Sequence, residues 1–124
     1  MTLMFICAAI GTSILNLDTL VHQKDADKLS VTQLGSDKHA SEFLISIADQ
    51  VPLHIHKHHT EIIYILEGAG DMTVNDKLVK IKKGDYIRVP ENTPHGVKVT
   101  SAKPLKVLSV QTPEYKGIDK HFVN

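Results

Sequence analysis

Four of the eight histidines in this 124-residue chain fall within six residues, in the stretch PLHIHKHHTEIIYILEG from Pro52 to Gly68. His54 and His56 stand two apart in a segment that reads as a strand, so both rings project from one face while Leu53 and Ile55 take the other. Glu61 follows at the start of an apolar run. Two adjacent imidazoles and a carboxylate arriving from the next strand supply most of the coordination shell of a divalent metal. A fourth candidate, His95, lies in GDYIRVPENTPHGV, where it opens another alternating run.

These two stretches resemble the two motifs of the cupins, small β-barrels with a metal near the centre. The first motif is a glycine, five residues, His-x-His, three or four residues, Glu, six residues and Gly. Here it reads His54-x-His56, Glu61 and Gly68, with Ala48 where the leading glycine would stand. The second is Gly, five residues, Pro-x-Gly, two residues, His, three residues and Asn. Here Gly84, Pro90 and His95 are in place, Asn92 replaces the glycine and Val99 the asparagine. Asparagine tolerates positive φ, and Ala48 needs only ordinary strand geometry. The resemblance spans roughly residues 40 to 112 and implies His54, His56, Glu61 and His95 as metal ligands. It also implies a second, catalytic role for Glu61, as a base toward bound substrate.

Three neutral imidazoles and one carboxylate leave two open positions on an octahedral ion. That suits Fe(II), Mn(II), Ni(II), Co(II) or Cu(II), with Zn(II) fitting at lower coordination, and ligand softness does not separate them. The competing account is a metal-free core of histidines. It would strand several buried polar groups at about 1–3 kcal/mol each. His58 and His59 are expected in the loop between two strands, exposed to solvent and outside the ligand set. Tyr64, Tyr86 and Arg88 lie on neighbouring strands, and alternation leaves the only arginine free to point inward to an anion or outward to water.

Holding four such residues together requires distant strands to close on one another. From Leu29 onward, nine short runs rich in Val, Ile, Thr and Tyr alternate with turn signals at Gly35–Lys38, Asn75-Asp76, Gly84-Asp85 and Glu91–Pro94. No sustained 3.6-residue period follows residue 28, so the chain reads as all-β, a single jelly-roll barrel over residues 29–124. The tail after Pro113 is expected to strap over the barrel. Several strands are apolar on both faces, more than one interior requires, and a homodimer is the expectation.

Residues 1–28 read as an apolar segment followed by a polar lead-in. LMFICAAIGTSIL, residues 3–15, has the length of a signal-peptide apolar region but lacks the basic start, and it is too short to cross a bilayer as a helix. A truncated signal peptide, with a periplasmic or secreted mature chain, is the expectation. The alternatives are a first strand or helix packed on the barrel and a cytoplasmic protein. Cys7 is the only cysteine, which excludes an intrachain disulfide and a cysteine-based zinc site. Lys plus Arg and Asp plus Glu are equal at 14 each, so no electrostatic footprint for nucleic acid exists. The lysines at 77, 80, 82 and 83 read as a solvated strand edge.

Three functions compete on these grounds: a metal-dependent small-molecule enzyme of oxygenase or isomerase/epimerase type, a non-catalytic metal- or ligand-binding module, and a structural barrel. The barrel interior discriminates. A roomy pocket beside the ligands, with one or two polar anchors, favours catalysis; an interior filled by Ile, Leu and Phe favours structure.

Overall fold

A computed structural model describes residues 3–5, 12–20 and 28–124. Among these no helix forms, and hence none long and apolar enough to cross a membrane. The strands are β1 (Leu3–Phe5), β2 (Leu29–Ser36), β3 (Ser41–Ile47), β4 (Gln50–Ile55), β5 (Thr60–Glu67), β6 (Ala69–Val74), β7 (Lys77–Lys82), β8 (Tyr86–Val89), β9 (His95–Val99), β10 (Leu105–Thr112) and β11 (His121–Phe122). β2 to β10 are the nine runs expected from the sequence. Residues 6–11 of the apolar stretch 3–15 lie outside the described residues, and the secretory expectation rests in part on them.

Two sheets face each other. One has six strands in the order β1-β2-β3-β10-β5-β8, the other five in the order β11-β4-β9-β6-β7. Apart from the parallel β1–β2 pair, every pairing is antiparallel. Alternation directs one side of each strand inward. Ile63 and Ile65 of β5, Leu105 and Val107 of β10, Met72 of β6 and Ile81 of β7 join Ile47 and Val89 in one buried cluster between the sheets. Leu108 and Val110 of β10 take the outer face and are only half-buried.

Turn chemistry fixes the register. Asn75, at φ 54°, makes the two-residue turn between β6 and β7. Gly68 turns β5 into β6 at φ 87°, and a Cβ there would lie 2.8 Å from the Pro104 carbonyl oxygen, so the position admits only glycine. Asn92 has φ 56° where the cupin motif has glycine, and its N–H donates to the His56 carbonyl at 2.8 Å. β7 is an outer strand with Lys77, Lys80 and Lys82 exposed, the solvated edge expected of that lysine cluster.

Candidate metal centre

β4 and β9 run side by side with His54 opposite His95, so their rings lie 4.2 Å apart between centroids. His56 follows at the end of β4. Glu61 comes from the opposing sheet, on β5, in register with Gln111 of β10 and Val89 of β8. All four are buried, and each offers a ligand atom within 4.8 Å of every other. Strands far apart in sequence thus bring together the four residues that the spacing singled out.

The outer nitrogens settle which inner atoms are bare. His54 Nδ1 donates to the Pro52 carbonyl at 2.9 Å, His95 Nδ1 to that of Thr93 at 2.9 Å and His56 Nδ1 to that of Asp119 at 2.6 Å. A carbonyl can only accept, so each Nδ1 carries the hydrogen and a neutral ring presents its Nε2 lone pair to the centre. Yet Glu61 Oε2 stands 3.2 Å from His56 Nε2 and 3.0 Å from His95 Nε2. With neutral rings, acceptor would face acceptor, an arrangement that a cation between them relieves. Three imidazole nitrogens and one carboxylate oxygen, each ring fixed from behind by a carbonyl, fit a divalent transition metal.

Without an ion, the electrostatics treat two of the rings differently. Burial, then the neighbouring His95, pushes His54 down to about 4, which keeps it neutral. Burial also pulls on His56, but the contacts to Glu61 and the Asp119 carbonyl outweigh it and raise its pKa. For Glu61 burial favours the protonated form. The hydrogen bonds with His56, His95 and Ser109 prevail and hold the carboxyl well below its usual range. Ser109 Oγ donates to Glu61 Oε1 at 2.5 Å, leaving Oε2 to face the imidazoles.

The cluster lies on the wall of a cavity of about 600 Å³ lined also by Ile45, Ile47, Val97 and Val107. Gln111 reaches the same wall. Its Nε2 is 3.4 Å from His56 Nε2, and its buried Oε1 has no hydrogen-bond partner among the described residues. Sequence reasoning passed over Ser109 and Gln111. The signal was there, since the inward alternation of Leu105 and Val107 continues onto both.

His59 departs from expectation. His58 is exposed as expected, but His59 is buried, not a solvent-facing loop residue. The cause lies sixty residues on, where the C-terminal strap crosses the loop. Asp119 accepts from the backbone N–H groups of Lys57 (2.9 Å) and His58 (2.8 Å) and pairs with His59 Nδ1 at 2.5 Å. His59 Nε2 donates to the Glu114 carbonyl at 2.9 Å. Both ring nitrogens are occupied, so His59 offers no free lone pair to the cluster and serves the strap instead. Burial pushes Asp119 up, but the bonds from His59, His58 and Lys57 together bring it well below the carboxylate range. Arg88 and Tyr86 are exposed on β8, so the arginine takes the outward of its two orientations. Tyr64 stands opposite Tyr86 and is also exposed.

Among known proteins, the chain is 36% identical over 89 residues to an uncharacterized protein of Methanocaldococcus jannaschii, covering 72% of this chain and 71% of that one. A shorter match, 36% over 53 residues, is to quercetin 2,3-dioxygenase of Bacillus subtilis, covering 43% of this chain and 16% of that enzyme. The solved structure of KdgF from Halomonas sp. superposes with a TM-score of 0.73 at 17% identity, covering 86% of this chain and 96% of that one, which speaks to the fold alone. The cupin domain profile matches residues 43–111, the span from β3 to β10 that carries all four clustered residues, and the chain therefore belongs to the cupin family.

Proposed function

We propose that this chain is a metal-dependent enzyme acting on a small oxygenated organic molecule, of dioxygenase or isomerase/epimerase type. His54, His56, Glu61 and His95 hold the divalent ion. The observation that carries the reading is the cavity of about 600 Å³ beside the cluster, where a structural barrel would be filled. The match to a quercetin 2,3-dioxygenase supports the oxygenase branch. A bound divalent ion supplies Lewis acidity toward substrate oxygens.

The chain's own residues do the rest. The Pro52, Thr93 and Asp119 carbonyls keep three nitrogens bare and aimed. Ser109 fixes the carboxylate of Glu61. A proton-accepting role for Glu61 requires its Oε2 to leave His56 and His95, because those contacts favour the charged, weakly basic form.

Metal analysis of the purified protein is the first test. His54→Ala, His56→Ala and His95→Ala are each expected to lose stoichiometric metal, whereas His59→Ala retains it at saturation. Equal loss from His59→Ala overturns the ligand set. Glu61→Gln is expected to change reactivity more than metal retention. Oxygen uptake by the Fe(II) and Ni(II) forms with enediols, β-diketones and thiols tests the oxygenase branch, and deuterium exchange at carbon next to a carbonyl tests the isomerase branch. A loaded protein silent in both is a non-catalytic metal- or ligand-binding module. Export to the periplasm belongs to the same proposal and is tested by cell fractionation.

A further inference from the structure

Gln111 carries the one fully buried side-chain oxygen or nitrogen among the described residues that has no hydrogen-bond partner. It is 5% exposed, projects inward from β10 beside Glu61, and its Oε1 meets no donor among the described residues. A buried amide oxygen without a partner is costly, and native structures supply one from water or ligand. The other end of the amide is scarcely better placed, with Nε2 3.4 Å from His56 Nε2. If an ion occupies the His56 lone pair, that contact loses its acceptor. The amide then offers one acceptor and one donor, side by side, to whatever lies next to the ion.

The cavity adds two further constraints. Its lining carries Lys116 and Lys120 against Glu61 and Glu114, so a divalent ion tips the balance positive and an anionic group is favoured. Beyond the cluster the walls are branched and aliphatic, with Ile45, Ile47, Val51, Val97 and Val107. A short apolar body fits there.

We propose that the ligand of this cavity is a small 2-hydroxy acid with an aliphatic body, and that Gln111 reads its vicinal oxygens. The amide carbonyl accepts the hydroxyl hydrogen and the amide N–H donates to the carboxylate. This rests on the metal reading above and narrows the substrate to one class.

The test compares 2-hydroxyisovalerate with isovalerate on the Co(II)-loaded protein, by calorimetry and by the visible absorption of the ion. Chelation alone favours the hydroxy acid, so the decisive quantity is how the preference changes when the amide is removed. Gln111→Leu and Gln111→Met both delete the carbonyl, so one remains if the other fails to fold. Each is expected to keep stoichiometric Co(II) and to weaken both acids through the lost N–H to the carboxylate, while the preference for the hydroxy acid falls roughly fivefold, the worth of the one further neutral hydrogen bond to its hydroxyl. A preference unchanged in both variants overturns the role of Gln111. Loaded wild-type protein that binds the two acids equally, or neither, overturns the ligand class and leaves the metal site standing. Failure of wild-type protein to take up Co(II) removes the metal reading and this inference with it.

Discussion

His54 is tuned to stay neutral, and that tuning has a cost in acid. Its pKa is about 4 in the folded chain against 6.5 in an unfolded one. Between those values the unfolded chain takes up a proton that the folded chain refuses, so stability present above pH 6.5 is lost as pH falls toward 4. His56 runs the other way. Its raised pKa contributes stability below 6.5 that is lost as pH climbs through the folded value, outside the His54 window. The metal-free protein is therefore expected to lose roughly 2–3 kcal/mol between pH 6.5 and 4. His54→Asn is expected to flatten that slope. Urea denaturation at a series of pH values, with chelator present, checks it; an unchanged slope in the variant removes the assignment. The four clustered residues were legible because spacing carries their identity. Glu61 is buried with them as the sequence offered, a carboxylate arriving from the next strand along the chain, which lies in the opposing sheet. Gln111 was not legible, because alternation along β10 puts it inside but does not tell what an inward glutamine faces until its neighbours across the sheet are known.

The element that sequence patterning left without a role is the strap after Thr112. It pairs through β11 with β4, and Phe122 sits opposite His54 in that pairing. Asp119 closes it with bonds to Lys57, His58, His59 and His121, while its carbonyl holds His56. Such long-range bonds have no periodicity, which is why His59 was expected in solvent. Asp119→Ala strands buried donors and breaks the pair with His59, so about 3 kcal/mol of stability is expected to go. The backbone carbonyl that aims His56 stays in Asp119→Ala but loses the side-chain bonds that fix it in place, so affinity for an ion at the cluster is expected to fall roughly 10-fold as well. His59→Ala is expected to show a similar loss of stability with a smaller loss of affinity, since Asp119 keeps its bonds to the Lys57 and His58 N–H groups. Denaturation curves paired with chelator competition separate the two effects. If Asp119→Ala leaves affinity for the ion unchanged, the strap is only a fastening.

At the scale of the molecule, the nine central strands were readable because alternation and turn residues agree. Their order was not, since it depends on pairings such as β3 with β10 that join residues sixty apart. The outer face of the six-stranded sheet keeps Tyr64 and Tyr86 exposed at 43% and 63%, and the homodimer expected from doubly apolar strands is tested there. Tyr64→Lys with Tyr86→Lys is expected to give monomers by light scattering if that face pairs. The ligands also divide between the sheets, with His54 and His95 on one and Glu61 on the other. An ion held by all four would tie the sheets together and bind only when they are packed, so it would favour the folded chain over the unfolded one. At free metal a hundred times the dissociation constant the gain is about 2.7 kcal/mol. For a domain of this size that corresponds to roughly 10 °C in melting temperature. The loaded protein is expected to melt that much above the chelated one, and His95→Ala to melt at the same temperature with or without metal. A full shift surviving in His95→Ala would mean that the ion sits elsewhere, because no other residue on β9 could bridge to Glu61 in its place.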